Sequence, residues 1–318
     1  MNPRIVRHPH GIVSVDTEYL YPGHAASHIL QHNGRAAFVD VGTNHSVPYL
    51  LAALDVLGAA REAVDYVFLT HVHLDHAGGA GVLMQALPNA VAVLHPRGAP
   101  HMIDPDKLIA GSKVVYGEER FAKLYGNLEP IPAGRVKVVQ DGDHFDLAGR
   151  DLELIHTPGH ALHHYAIVDG AHASIFPGDT FGLSYRALDT AQGAFITPTT
   201  TPTQFDPEQL VASIDRLVSF APESMYLMHY SRVRDVPRLA CDLKAQIGEL
   251  VRITERRADA SDRYTAIRAD MLDLWVRRAR KHGCTQPDIE IERLLGGDLD
   301  LNTQGLIVWA DRRRKGAD

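Results

Sequence analysis

The chain has 318 residues, 45% of them hydrophobic and 22% charged, a composition typical of a globular protein with a large core. Its formal net charge of -7 argues against a nucleic acid or an anionic membrane as the main partner, because both attract basic surfaces. Two cysteines are too few for a disulfide framework, and no segment approaches the roughly 20 apolar residues of a membrane helix. We therefore expect a cytoplasmic protein that binds neither membrane nor nucleic acid.

Short segments rich in Val, Ile and Phe, flanked by Gly, Asp, Asn or Pro, predict β-strands. They lie at residues 36–41, 65–70, 91–95, 136–139, 152–156, 164–168 and 174–178. Apolar residues at helical spacing predict helices at 47–58 and 207–220. Asp206 suits the N-cap of the second helix, and Pro207 suits its first position. This alternation predicts an α/β fold.

The pattern becomes mainly helical after residue 240, with helices predicted at 240–257 and 261–282. We therefore divide the chain into a main domain at 1–240 and a mainly helical extension at 241–318. The extension closes a cleft, forms the contact of a homodimer, or does both. The basic run RRRK at 312–315 is interpreted as a solvated tail rather than a binding site.

Residues 97–135 interrupt the strand pattern with several Gly, Pro and Tyr residues. Such segments are either surface insertions with one or two helices or functional excursions. The sequence leaves these two interpretations open.

The densest cluster of chemically active side chains is THVHLDHAGG at 70–79, directly after a predicted strand. Imidazole nitrogens and carboxylate oxygens are ligands that suit zinc and iron. In a short irregular loop, His71 and His73 can face one metal, while Asp75 and His76 face a second. The two glycines that follow allow a helix to start close to this loop.

Three further candidates follow apolar runs later in the chain. They are His160 in TPGH, Asp179 in PGDT and His229 in YLMHYS. A carboxylate such as that of Asp179 can bridge two cations. The predicted ligands of one metal are then His71, His73, His160 and Asp179. Those of the second are Asp75, His76, His229 and Asp179.

The order HVHLDH, TPGH, GDT and a late histidine resembles the metallo-β-lactamase fold superfamily, and FVDVG at 38–42 also matches its pattern. The resemblance covers about residues 25–230. It implies a four-layer αββα sandwich with metals at one edge of the two sheets, here followed by a helical extension. It also implies that Asp40 supports the metal loop by hydrogen bonding.

Two neighbouring metals lower the pKa of a shared water, so that a bridging hydroxide can attack at neutral pH. We therefore predict a dinuclear metallo-hydrolase that cleaves an ester, thioester or lactone of a small molecule. Asp75 would orient the water or pass its proton, and Tyr185 or Tyr230 would assist the substrate carbonyl. Zinc fits the ligand types, with iron and manganese as alternatives. HTPGH, GDT and the helical C-terminal part are similar to hydroxyacylglutathione hydrolases.

The main alternative reaction is oxidative. Persulfide dioxygenases resemble this motif set but hold one iron, at the positions of His71, His160 and Asp179. A non-catalytic binding protein on this fold is a third possibility, although such proteins usually lose ligands and none is lost here. In this fold the 97–135 insertion would overhang the metals and offer an apolar wall to the substrate, or it would pack against a second subunit.

Overall fold

The computed structural model describes residues 2–200 and 203–317. These residues form two compact units. The first comprises residues 2–156, 163–178 and 225–232, and the second comprises 157–162, 179–224 and 233–317, without 201–202. Within the described ranges, no helix is both long enough and apolar enough to cross a membrane.

The first unit is built on two β-sheets. In the described residues, the first sheet has seven strands that lie side by side in chain order: β1 (Ile5–Arg7), β2 (Ile12–Asp16), β3 (Ala26–His32), β4 (Arg35–Val39), β5 (Val64–Phe68), β6 (Val91–Leu94) and β7 (Val136–Val138). Strands β1 to β4 are antiparallel, and β4 to β7 are parallel. The second sheet has six strands, also neighbours in chain order: β8 (Asp143–Leu147), β9 (Arg150–His156), β10 (Tyr165–Asp169), β11 (Ser174–Phe176), β12 (Ser224–Leu227) and β13 (Ser231–Val233).

The described part of the first unit contains six α-helices. They are α1 (Val47–Leu57), α2 (Leu74–Ala77), α3 (Ala80–Ala86), α4 (Ala99–Ile103), α5 (Asp106–Tyr116) and α6 (Glu118–Tyr125). The last three occupy the segment at 97–135, where the sequence predicted one or two helices if the segment is an insertion. They follow β6 and precede β7, so they form one long excursion between two neighbouring parallel strands.

The first sheet is buried on both faces. Phe38 and Val67 point to one face and pack with α1 and α3, whereas their neighbours Val39 and Phe68 point to the other face and pack with the second sheet. Successive side chains of a strand point to opposite faces, so a strand buried on both sides reads as a continuous apolar run. This is why FVDV and DYVFL were recognisable as strands.

The second unit contains, among its described residues, the four helices α7 (Pro207–Ser219), α8 (Val236–Arg256), α9 (Arg263–Lys281) and α10 (Asp288–Ala317). The N-cap prediction is confirmed, because the Asp206 carboxylate accepts a hydrogen bond from the Gln209 N–H at 3.0 Å. Residues 312–315 are exposed, as expected for a solvated segment, but they continue α10 rather than form a free tail, and the Arg312 guanidinium donates to the Phe205 carbonyl at 2.6 Å. The domain division at residue 240 stays a prediction.

The predicted fold class is confirmed: two sheets with helices are followed by a helical C-terminal extension. All seven predicted strands exist, with ends shifted by at most two residues. The sequence analysis missed β1 to β3, β8, β12, β13 and α10. Strands β2 and β3 were missed because buried polar residues, Ser14 and His28, interrupt their apolar pattern.

A buried polar network joins these two strands. The Ser14 hydroxyl lies 3.0 Å from Nδ1 of His28, 2.8 Å from Nε2 of His8 and 2.9 Å from the Ser231 hydroxyl. The His28 Nε2–H donates to the Leu227 carbonyl at 3.0 Å. Burial lowers the pKa of His28 from 6.5 to about 3, so the ring is neutral in the folded protein at neutral pH.

This histidine should make the protein less stable in mild acid. Between pH 3 and 6.5 the unfolded chain binds one more proton at His28 than the folded chain, so the free energy of unfolding falls as the pH falls through this window. From pH 7 to 5 the loss from this group should be about 2 kcal/mol. Urea unfolding of the metal-free protein at both pH values measures it. His28→Gln, which keeps a donor for Leu227, should reduce the loss by that amount, and exposed His144→Gln should not. An equal pH dependence in His28→Gln and the unmodified protein would contradict the prediction.

Candidate metal centre

The histidine-rich loop starts where the parallel strand β5 ends. His71 is fully buried, and its Nε2 lies 2.8 Å from Nδ1 of His73. On the other side of the ring, His71 Nδ1 lies 3.1 Å from the Thr70 hydroxyl. The two imidazoles therefore turn nitrogen atoms toward a common point, as the HxH spacing predicted.

A glycine pair allows the loop to turn at once into α3. A side chain at Gly78 would place its Cβ 2.4 Å from the Leu74 carbonyl oxygen, and one at Gly79 would place it 2.5 Å from the Thr43 carbonyl oxygen. Real Cβ atoms do not approach so closely. The glycines are therefore required by close backbone approach, which agrees with the sequence analysis.

Asp75, His76 and His229 form a second group within the first unit. One ligand atom from each lies within 4.8 Å of the other two. The Asp75 carboxylate is 3.3 Å from His229 Nε2 and 4.0 Å from His76 Nε2. The two imidazoles are almost completely buried, while the Asp75 side chain is 21% exposed. Asp75 is thus the member of the group that solvent and a substrate can reach.

Hydrogen bonds orient both imidazoles of this group. The His76 Nδ1–H donates to the Asp40 carboxylate at 2.8 Å, and the His229 Nδ1–H donates to the backbone carbonyl of His24 at 3.0 Å. With Nδ1 acting as a donor, Nε2 of each ring carries the lone pair and faces Asp75. This is the arrangement that metal-binding histidines commonly show.

Asp40 organises the loop from the end of β4. Its carboxylate accepts hydrogen bonds from the Thr70 N–H at 2.8 Å, from the Thr70 hydroxyl at 2.8 Å and from His76. The residue is 2% exposed and has a φ of 52°, a conformation that Asp and Asn adopt more readily than most residues. The prediction that Asp40 supports the loop by hydrogen bonding is confirmed.

The two remaining predicted ligands, His160 and Asp179, lie in the second unit. His160 Nε2 lies 3.5 Å from the Asp179 carboxylate, and both side chains are buried. Gly159, with a φ of 126°, lets TPGH turn tightly against the start of α7, where a Cβ would meet the Leu210 backbone at 2.2 Å. The Thr180 hydroxyl donates to the Thr157 carbonyl at 3.2 Å and ties the two short segments together.

Tyr185 was predicted to assist catalysis. It is 3% exposed, and its hydroxyl donates to the Asp298 carboxylate on α10 at 2.9 Å. The alternative that it is a packing residue agrees with this burial, and its catalytic role stays a prediction. The sequence analysis assigned no role to His24, whose backbone carbonyl orients His229. No sequence signal could reveal this role, because every residue carries a carbonyl.

The donor set fits divalent metals. Asp75, His76 and His229 combine a carboxylate with two buried imidazoles whose Nε2 lone pairs are oriented by hydrogen bonds at Nδ1. This chemistry suits Zn²⁺, and it also accepts iron or manganese.

The model of the metallo-β-lactamase superfamily matches residues 20–229, about two thirds of the chain. The chain belongs to this superfamily. Members typically bind divalent metals, and the resemblance inferred from the motifs is confirmed. The metallo-β-lactamase fold-containing protein ST1585 of Sulfurisphaera tokodaii is 27% identical over 66% of this chain and 74% of its own length.

A second superfamily member, the hydroxyacylglutathione hydrolase of Aeromonas hydrophila, is 28% identical over 63% of this chain. The chain spans 59% of that enzyme's length, less than two thirds. Among solved structures, the metallo-β-lactamase family protein TTHA1429 of Thermus thermophilus superposes with a TM-score of 0.69 at 21% identity, covering 96% of this chain and 94% of that one. This likeness shows the fold. Family and relatives together support a metal-dependent hydrolase in general.

Proposed function

We propose that the chain hydrolyses an ester, thioester or lactone of a small molecule with the help of two divalent metal ions, and that zinc is the first candidate for both. The observation that carries the proposal is the group of Asp75, His76 and His229, whose imidazole lone pairs converge beside a carboxylate that solvent can reach. His71 and His73 lie on the same loop. His160 and Asp179 complete the ligand set that the sequence pattern predicts.

Each side chain has a separate task in this proposal. When bound, the metals lower the pKa of water toward neutrality and polarise the scissile carbonyl. Asp75 orients the attacking water and accepts its proton, for which its partial exposure and its short distance from His229 suit it. Asp40 and the His24 carbonyl accept the Nδ1–H of His76 and of His229, so that Nε2 of each ring is left for a metal. No serine or cysteine nucleophile is required.

Tyr185 is proposed to assist the substrate carbonyl. For this role, the hydrogen bond from the Tyr185 hydroxyl to the Asp298 carboxylate must break. Tyr185→Phe should then lower kcat about 100-fold while metal content stays unchanged, as expected for the loss of one hydrogen bond to the transition state. An unchanged kcat would assign the residue to packing. The homodimer, the cytoplasmic location and the absence of a nucleic-acid partner stay predictions.

The proposal is tested by elemental analysis and a substrate screen. We expect close to two metal ions per chain after purification without added metal, and hydrolysis of at least one member of a panel of esters, thioesters and lactones. Dialysis against a chelator should remove roughly 99% or more of the activity, on the order expected when a metal-activated water is lost, and zinc should restore it. Close to one iron per chain, with oxygen uptake in the presence of a persulfide, would replace this proposal by the dioxygenase alternative.

A further inference from the structure

A cleft of about 810 Å³ lies between the loop that follows β2 and the helices of the excursion between β6 and β7. Tyr19 and Leu20 form one wall, and Tyr116 and Leu124 form the other. Its size is within the range of small-molecule sites. Hydrogen bonds join its walls, between the Tyr19 and Tyr125 hydroxyls at 2.9 Å and between the His45 ring and the Lys123 carbonyl at 3.2 Å.

The apolar wall of this cleft continues into the metal loop. Leu74, which stands between His73 and Asp75, is buried in one hydrophobic cluster with Phe121, Tyr125 and Leu128. Tyr19, Tyr116 and Leu124 pack against this same cluster. Leu74 thus links the wall of the cleft to Asp75, its neighbour in the chain, through one hydrophobic cluster within a single compact unit.

Some of the charged side chains that line the cleft form ion pairs, and others do not. Glu18 forms an ion pair with Arg4 at 3.2 Å, and Glu118 forms one with Lys113 at 3.5 Å. In the described part of the chain, Arg120 and Lys123 have no carboxylate partner within 4.0 Å, and Glu119 has no cationic partner within that distance. The Arg120 guanidinium lies 5.8 Å from the centre of the Tyr116 ring, which holds it along the wall. The two cations without an ion-pair partner outnumber the one such carboxylate, so one positive charge beside the apolar surface is not compensated.

We propose that this cleft binds the non-reacting part of the substrate and that this part is an apolar chain with an anionic end, held by Arg120 and Lys123. The inference rests on the proposed hydrolase for the reaction itself, but the binding site stands on its own geometry. Tyr19, Leu20, Tyr116 and Leu124 would cover the chain. The two cations would attract the anionic end, as charges at the rim of a site commonly do.

The test compares matched substrates and ligands. The substrates are 4-nitrophenyl monoesters of linear dicarboxylic acids with four to eight carbons, each paired with the ester of the monocarboxylic acid of equal length. The ligands are the monoamides of the same dicarboxylic acids and the amides of the monocarboxylic acids, titrated calorimetrically into the metal-free protein. We expect the unmodified protein to prefer the anionic member of each pair. The variant with both Arg120→Gln and Lys123→Gln should lose about fivefold of this preference, in kcat/KM and in Kd, as expected for two exposed charge contacts.

Lys107→Gln is the matched control, since this exposed lysine lies on α5 but does not line the cleft. It should keep the preference of the unmodified protein. An equal preference in the double variant and the unmodified protein would overturn the inference. If no ester, thioester or lactone of the panel is hydrolysed but the calorimetric preference exists and is lost in the double variant, the binding site stands and the proposed hydrolase fails. Hydrolysis of the anionic and the uncharged ester of each pair at equal kcat/KM would contradict the inference and leave the proposed hydrolase intact.

Discussion

Asp75→Asn should lower kcat/KM for the best ester or thioester substrate by about three orders of magnitude, within the range expected for loss of a positioned base. An amide cannot accept the proton of the attacking water, and it is a weaker metal ligand than a carboxylate. The carboxylate of Asp75 supplies the oxygen donor of the group that it forms with His76 and His229. Its replacement should also reduce the metal content from close to two ions per chain toward one. Steady-state kinetics and elemental analysis of the same preparation measure both effects.

The matched control for this variant is Asp55→Asn, which changes the same functional group at an exposed position on α1. It should retain full activity and metal content. An Asp75→Asn protein within about threefold of the unmodified enzyme would remove Asp75 from the chemistry, since a positioned base contributes far more than that. If the Asp75→Asn protein loses one metal ion per chain but the form with the remaining ion keeps its turnover rate, Asp75 acts as a ligand and not as a base.

Asp40→Asn should weaken metal binding by about 10- to 100-fold, as is usual when the residue that orients a metal-binding histidine is changed. The Asn side chain still fits a positive φ, and its oxygen can still accept from Thr70. Its amide N–H₂, however, would face the His76 Nδ1–H. The imidazole would escape this clash by moving its proton to Nε2, and the lone pair would then point away from Asp75. Competition with a chromophoric zinc chelator measures the change.

Asp40→Ala provides a second measurement, on stability. It removes the acceptor for the buried Thr70 N–H, the Thr70 hydroxyl and His76 together, so the free energy of unfolding of the metal-free protein should fall by about 3 kcal/mol. Asp55→Asn again serves as the control in both experiments. Unchanged zinc affinity in Asp40→Asn would mean that the hydrogen bond to His76 does not set the tautomer.

Four of the candidate metal ligands were predictable because their positions are local. His71, His73, Asp75 and His76 fall within six positions directly after an apolar strand, and their side chains are typical zinc ligands. The seven predicted strands were predictable for a similar reason, because burial on both faces makes each of them a continuous apolar run. Where burial includes polar groups, as in β2 and β3, the local pattern fails and the strands were missed.

The orientation of the ligands could not be predicted from the sequence. His229 is held by the carbonyl of His24, which lies 205 positions earlier, and His76 is held by Asp40, which lies 36 positions earlier. A histidine without a motif carries no local sign of such a contact, and the supporting role of Asp40 was expected only from the family resemblance, without its partner atoms. The cleft also depends on distant segments, since Tyr19 meets Tyr125 across 106 positions.

The sequence by itself therefore determined the family, the fold class and the types and order of the candidate metal ligands, because short spacings and apolar periods encode them. Tertiary structure alone decided which nitrogen of each imidazole faces Asp75, which carboxylate solvent can reach, and that Leu74 shares a hydrophobic cluster with the wall of a cleft. These properties arise from hydrogen bonds and packing between segments far apart in the chain, and a local pattern holds no information about such contacts.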